Sequence, residues 1–299
     1  MSEVTLRQLT DAFLAETAAE RRASTNANYR YFYDYICRDF GTDIPLAQIS
    51  VGMLRSWKMH LLARFKPGTV LKYCERLSTA LDYAVECGWL DANPMRKVRR
   101  PATPPARVRF LSDAERARLL PHCRASRNPL LYPIVILALT TGGRKDELVR
   151  LQWPQVDFEA GVVRFLLTKN NRPRAVPLVG EAHAVLAELA RHRKPAVPWV
   201  FPAWNGRGPT RIDSPWHVAR REAGIPDFRF HDLRHTCASY LAMSGSSLRD
   251  IAEVLGHAKI QQSANYAHLT ENHNKEIVDR MTQKFLPPPP PPDTGAQPA

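Results

Sequence analysis

At 299 residues the chain can bury one large core or two ordinary ones, and 44% apolar with 24% charged residues excludes disorder as its default state. Lys and Arg number 42 against 29 acidic residues, a net charge of +13, with 15 basic and 11 acidic side chains in residues 1–100 and 27 and 18 in the rest. The excess is therefore no mere basic tail, and a polyanion such as nucleic acid is a natural partner. The five cysteines are scattered without a Cys-x-x-Cys pair, which argues against a zinc site or a disulfide framework. No apolar run reaches membrane-spanning length and the N-terminus lacks a signal-peptide core, so the expectation is a cytoplasmic, reduced protein with no membrane partner.

The first hundred residues read as helices. Leu6, Leu9 and Phe13 share a face; Tyr29, Phe32, Tyr33, Ile36 and Phe40 form a second stripe; Met53, Leu54, Trp57 and Leu61 a third; Val70, Leu77, Leu81, Ala84 and Val85 a fourth. The fourth helix is expected to stop at Gly88, and Pro94 prevents its resumption. Between the stripes lie Arg55, Lys58, Arg64, Lys66, Lys72 and Arg76, which either track a DNA backbone or solvate the surface.

Residues 97–109 hold three prolines and five basic residues, including Arg99 and Arg100, and read as an extended linker that is sticky for phosphate. A second domain opens with the capping box Ser112-x-x-Glu115. A buried helix follows from Pro129 to about Thr141, halted by Gly142-Gly143. Val162 to Thr168 reads as a strand, Lys169-Asn170-Asn171 as a turn, and Arg174 to Leu178 as the returning strand. Helices are expected around Glu181–His192, from Ser214 (N-cap) with Pro215 next, from about Asp232 to Met243, and from Leu248 to Leu255, the last capped by Ser247-x-x-Asp250 and ended by Gly256. A final amphipathic helix covers about Glu271–Phe285, with Ile277, Met281 and Phe285 on one side. Six prolines, Pro287 to Pro292, then open a disordered or polyproline tail.

Three clusters carry chemistry: Arg144 to Leu148 after the Gly-Gly break, His231-Asp232-Leu233-Arg234-His235, and Leu255-Gly256-His257 followed by Tyr266. His231 and Arg234 are three apart, so they share a helical face and can meet one ligand. The order Arg-x-x-Glu-Leu, His-x-x-Arg, Leu-Gly-His and then Tyr nine residues after the histidine resembles the tyrosine site-specific recombinase (phage integrase) family. The segment Gly88 to Pro94 is similar to the usual end of that family's helical core-binding domain, so the resemblance spans about residues 4 to 286.

The resemblance implies a mainly α fold with a small antiparallel β-sheet. It comprises an N-terminal helical (SAM-like) core-binding bundle at 1–96, the linker 97–109, a mixed α+β tyrosine-recombinase catalytic domain at 110–286, and the Pro-rich tail 287–299. It makes Tyr266 the nucleophile that forms a covalent 3′-phosphotyrosine, Arg144, Arg234 and His257 donors to the phosphate, and Lys169 the general acid. His231 would assist proton movement at the nucleophile, and Glu147 would support the site from behind. His235 and His268 are set aside as neighbours. Arg172 and Arg174 join Arg55, Lys58, Lys72, Arg76, Arg99 and Arg100 as candidate DNA contacts. No cofactor and no metal are called for, since arginine and lysine supply the positive charge. The implied partners are a double-stranded DNA recombination site, three further copies of the chain in a tetramer exchanging strands through a Holliday junction, and accessory proteins. The final helix either docks on a neighbouring copy or packs in cis. A start so close to the core-binding domain leaves no room for an arm-site domain, which favours a simple recombinase. Two rival readings are a type IB topoisomerase and an inactive DNA-binding member of the fold.

Overall fold

The computed structural model describes residues 4–104, 109–166, 173–257, 259–269, 278–279 and 281–285. The chain divides into two compact units, Met1–Ala106 and Arg107–Ala299.

The first unit is helical: α1 (Leu6–Glu16), α2 (Ala23–Phe40), α3 (Val51–Arg64) and α4 (Pro67–Glu86), with 3₁₀ turns at Leu46–Gln48 and Pro94–Lys97. Thr5 and Gln8 form a reciprocal capping box on α1, Ser50 caps α3, and Pro67 starts α4, where its missing N–H costs nothing. The four apolar stripes meet in one core. Met53, 38% exposed, and the half-buried Val85 lie at the edges of their stripes. The aromatics interlock edge to face, as Phe13 does with Tyr33 and Phe32 with Tyr73, so they are core. Asn93 explains the chain after Gly88: its amide donates to the Ser78 carbonyl and to Asp82, and its oxygen accepts from the Met95 N–H. That clamp folds Met95 and Val98 into the core, so the expected linker begins inside the first unit.

The second unit holds α5 (Asp113–Arg124), α6 (Leu131–Thr141), α7 (Lys145–Val149), α8 (Gly180–Arg191), α9 (Asp213–Glu222), α10 (Asp232–Met243) and α11 (Leu248–Leu255). Two 3₁₀ turns, Ile260–Gln262 and Ala264–Leu269, follow α11. Strands β1 (Val156–Asp157), β2 (Val162–Phe165) and β3 (Arg174–Pro177) form an antiparallel sheet in that order, with Val163 opposite Val176 and Phe165 opposite Arg174. The α6 helix is apolar on almost every side because it runs through the core; Ile134, Val135 and Leu137 are fully buried. Strand β1, two residues long, is too short to show a period of two and leaves no pattern in the sequence. The α9 helix begins at Asp213, with Ile212 as N-cap, rather than at Ser214. Asp213 places a carboxylate in the first turn, and Pro215 is tolerated there because those N–H groups have no partner within the helix. Of the expected final helix, residues 271–277 lie outside the described residues, and 278–279 and 281–285 are helical.

Candidate active site

The α6 helix ends at Gly142, whose φ of +60° gives a left-handed cap. A Cβ there would sit 2.2 Å from Leu255 Cδ2, so glycine alone lets the C-terminal ends of α6 and α11 approach this closely. Helix C-termini leave carbonyls without intrahelical partners. Arg234, on the first turn of α10, serves both ends: Nη1 donates to the Gly142 carbonyl and Nη2 to that of Leu255, each at 2.7 Å. Burial, followed by the nearby Arg144 and Arg174 charges, pulls this guanidinium down to about 9, and it is still charged at neutral pH.

Arg144 precedes α7. Its backbone N–H donates to Glu147 Oε2 at 3.0 Å, and its guanidinium to Oε1 at 2.8 Å. Arg174, at the start of β3, donates from Nη2 to the same Oε2 at 2.8 Å and from Nε to the Val254 carbonyl at 3.1 Å. Its guanidinium also lies over the Phe165 ring, 4.4 Å from the centroid. Burial alone would raise the Glu147 carboxyl; the Arg174 and Arg144 contacts outweigh it and hold the group below its ordinary value. A Cβ on Gly256 would press to 2.9 Å from Arg174 Cδ, so the glycine that ends α11 also makes room for this arginine.

The third cluster closes on the second. His257 Nδ1 lies 2.8 Å from the Ser263 hydroxyl, and the Ser263 carbonyl accepts the Tyr266 N–H at 3.0 Å. Ser263 is fully buried and so couples the histidine to the turn that carries the tyrosine. Tyr266 is 2% exposed and packs with Cys237, Ala238, Ala242, Ile251 and Leu255. Its hydroxyl meets His235 Nδ1 at 2.5 Å. Burial lifts the phenol to about 12, against the pull of Arg234. His231 stands edge-on to His235, ring centroids 5.2 Å apart, one step further from the hydroxyl.

Residues 109–273 match the Phage integrase family, and residues 5–100 match the Phage integrase SAM-like domain. The chain belongs to the phage integrase family. It is 34% identical over 240 residues to the integrase of Salmonella phage P22, covering 74% of this chain and 59% of that one. It is 33% identical over 186 residues to the shufflon-specific DNA recombinase of Escherichia coli, covering 62% of this chain and 46% of that one. The chain thus spans about half to three fifths of these curated relatives. Its fold is that of the Tn1549 transposon integrase, solved with a circular intermediate DNA: TM-score 0.78 and 19% identity, over 93% of this chain and 99% of that one. The lambda integrase dimer bound to a core site gives 0.74 and 19%, over 87% and 97%.

Of the integrase-like residues singled out by sequence, the structure gathers Arg144, Glu147, Arg234, His257 and Tyr266, with His231 at the margin. Lys169 and Arg172 lie outside the described residues. Two candidate DNA contacts are engaged inside the protein. Arg174 is buried, its side chain 6% exposed, because Glu147 and the Val254 carbonyl hold it inside the site. Arg76 lies 3.9 Å over the Tyr29 ring and donates to its hydroxyl at 2.7 Å, an internal contact of the first unit. Arg55, Lys72, Arg99 and Arg100 are exposed, and Lys58 donates to the Arg99 carbonyl. Sequence reasoning missed two residues. His235 was set aside, although one residue after Arg234 it lies about 100° further round the helix and meets the Tyr266 hydroxyl. Ser263 carried no signal, being one polar residue between two motifs.

The histidines give a stability prediction. Burial lowers His231, His235 and His257 from their ordinary value of 6.5, His257 to about 4. The unfolded chain therefore takes up these protons before the folded protein does. Stability is full above about 6.5 and falls as the pH drops toward about 4. The denaturation midpoint in urea should be lower at about pH 5 than at about pH 8, and His257→Gln should flatten that difference. An unchanged slope in the variant would exclude His257 as a source.

Proposed function

We propose that this chain is a site-specific DNA recombinase that cuts and rejoins strands through a covalent 3′-phosphotyrosine on Tyr266. The observation that carries the reading is the docking of Tyr266 beside a guanidinium cluster in which Arg144 and Arg174 bond the carboxylate of Glu147 and Arg234 lies within its field. A phosphodiester brought there supplies the missing negative charge. Two of the five N–H donors of Arg234 are spent on carbonyls, leaving three for phosphate oxygens. In this proposal the Ser263 hydroxyl donates to Nδ1, so that His257 carries its proton on Nε2 and offers it to the same phosphate. A phenol raised to about 12 is protonated at neutral pH and needs a base; His235, held neutral by burial and touching the hydroxyl, is the first acceptor, with His231 behind it. Since the phosphotyrosine conserves the bond energy, the scheme calls for no nucleotide, and the arginines and lysine supply the charge that a metal would otherwise bring.

Lys169 is the general acid in this proposal. It lies in the connection between β2 and β3, whose far end, Arg174, already belongs to the site. Lys169→Ala should cleave normal DNA poorly, and a 5′-bridging phosphorothioate, whose thiolate leaves without a proton, should restore cleavage. Failure of that rescue would move the acid role to Arg172 or another donor.

Related folds have been solved as a dimer on a core site and as a lambda integrase tetramer on a Holliday junction. For this chain we propose four copies on two duplexes, with domains at 1–96 and 110–286 and contacts from Arg55, Lys58, Lys72, Arg99 and Arg100. Val278, Met281 and Phe285 are 53%, 53% and 74% exposed, an apolar helical face suited to a neighbouring copy. The test uses duplexes from the protein's own genetic neighbourhood, nicked to trap the cleaved state. A denaturant-resistant protein–DNA adduct together with recombinant products is the expected result. Plasmid relaxation without recombinants would make the chain a topoisomerase, and duplex binding without any adduct an inactive DNA-binding member of the fold.

A further inference from the structure

Three of the chain's six tryptophans, Trp153, Trp199 and Trp204, line one groove of about 290 Å³ in the second unit, with Leu189, Arg193 and Lys194 on its walls. The groove is built from stitched backbone. The Trp153 N–H donates to the Pro198 carbonyl and the Val200 N–H to Leu151, while Gln152 and Trp199 pair as an isolated bridge. Its outer lip is a hydrogen-bonded hairpin in which Pro202 pairs with Pro209, the Ala203 N–H donates to Gly208 and the Gly206 N–H to Ala203. That hairpin holds Trp204 out at 99% exposure. A tryptophan wholly in water on an ordered hairpin keeps its apolar surface unburied, and burying it is worth a partner.

The groove's chemistry is one-sided. It offers indole faces, that of Trp153 shared with the Arg193 guanidinium 6.0 Å from its centroid, and none of the three indole N–H groups donates to another described residue. Its described lining contains no acidic side chain, while His192, Arg193 and Lys194 stand along one edge. The fitting ligand therefore presents flat apolar rings, carbonyl acceptors without N–H donors, and negative charge at one end. A run of prolines has the first two properties: each ring stacks on an indole, and each residue keeps its carbonyl but has lost its N–H. The chain carries such a ligand itself. Pro287 to Pro292 begin two residues after the exposed Phe285, and Asp293 supplies the negative end. In a polyproline II helix six residues span about 19 Å, enough to cross a groove floored by two tryptophans and rimmed by a third.

We propose that the tryptophan groove is the docking site for the chain's own proline run, Pro287–Pro292, with Asp293 set against Arg193 and Lys194. The test uses the full chain in two forms, natural and with Pro288→Gly, Pro289→Gly, Pro290→Gly and Pro291→Gly, together with a synthetic peptide of residues 286–294. Tryptophan fluorescence reads the groove, because Trp204 passes from water to a ring contact on docking. The substituted chain should emit further to the red than the natural one, and added peptide should restore the natural spectrum with saturation. In the natural chain the tethered run competes, so the peptide should bind more weakly there. Trp204→Ala, a change at a wholly exposed side chain that leaves the core intact, should weaken peptide binding about tenfold or more. Identical emission from the two chains, non-saturating titration of the substituted chain, or equal peptide binding by Trp204→Ala would each overturn the proposal. So would a loss of DNA binding in Trp204→Ala without competition from the peptide, which would make the groove a nucleic-acid surface.

Discussion

Tyr266→Phe should fold, bind duplex DNA with unchanged affinity, and form no covalent adduct with a nicked substrate. The ring supplies its packing through carbon atoms, and these are all kept in the apolar cluster with Cys237, Ala238, Ala242, Ile251 and Leu255. What the substitution removes is the hydroxyl and its bond to His235, worth about 1 kcal/mol of stability. The partner left behind costs little, because His235 is only partly buried and can turn to water. The thermal midpoint should therefore shift by about 2–4 °C at most. Cleavage, in contrast, should vanish altogether, since the proposed nucleophile is gone and the other nucleophilic side chains nearby, the Ser263 hydroxyl and the Cys237 thiol, are buried. Denaturing gel analysis of the trapped substrate reads the outcome directly. An adduct of unchanged yield in the variant would place the nucleophile elsewhere and remove the recombinase reading with it.

Much of this site was legible in the sequence because its members come from short, rigid segments. Arg144 follows a Gly-Gly break that ends a buried helix, and the break exists because Leu255 leaves no space for a side chain at Gly142. His231, Arg234 and His235 lie on one helical turn, and His257 follows a left-handed glycine cap. Periodicity and caps report such features faithfully, which is why α6, α8, α10 and α11 were readable to within a residue or two, whereas the five-residue α7 carried no such pattern. What stayed hidden depends on partners distant in the chain. Arg174 looked like one more basic residue in a basic hairpin; only the register of β2 against β3, together with the close packing of α11 on β3, puts it under Glu147 and Val254. Arg76 was hidden in the same way, its role set by Tyr29 on another helix. His235 was visible but misread, because the spacing that joins His231 to Arg234 on one face says nothing about which histidine the incoming tyrosine will meet. The short strand β1 could not be seen at all, since two residues define no alternation.

Arg234→Lys separates the two tasks assigned to this residue and should damage both. The guanidinium spans the carbonyls of Gly142 and Leu255 because its two terminal nitrogens diverge from one plane. A lysine ammonium is a single point and can satisfy one of them. The other becomes a buried acceptor without a partner, a loss of about 1–3 kcal/mol, so the thermal midpoint should fall by several degrees. The charge remains, and DNA affinity should accordingly change little. The cleavage step should slow by about a hundredfold to a thousandfold, because the fork that would hold the nonbridging oxygens as charge builds in the transition state is gone. Arg144→Lys is the informative comparison. Arg144 is held to Glu147 at 22% side-chain exposure and bonds no backbone carbonyl of a helix end, so its replacement should slow cleavage to a similar degree with a much smaller fall in midpoint. Single-turnover adduct formation and thermal unfolding, measured on the same two variants, distinguish the tasks. If Arg234→Lys lost stability but cleaved at the natural rate, Arg234 would be a clasp between α6 and α11 and nothing more, and the phosphate would have to be held by Arg144 and His257 alone.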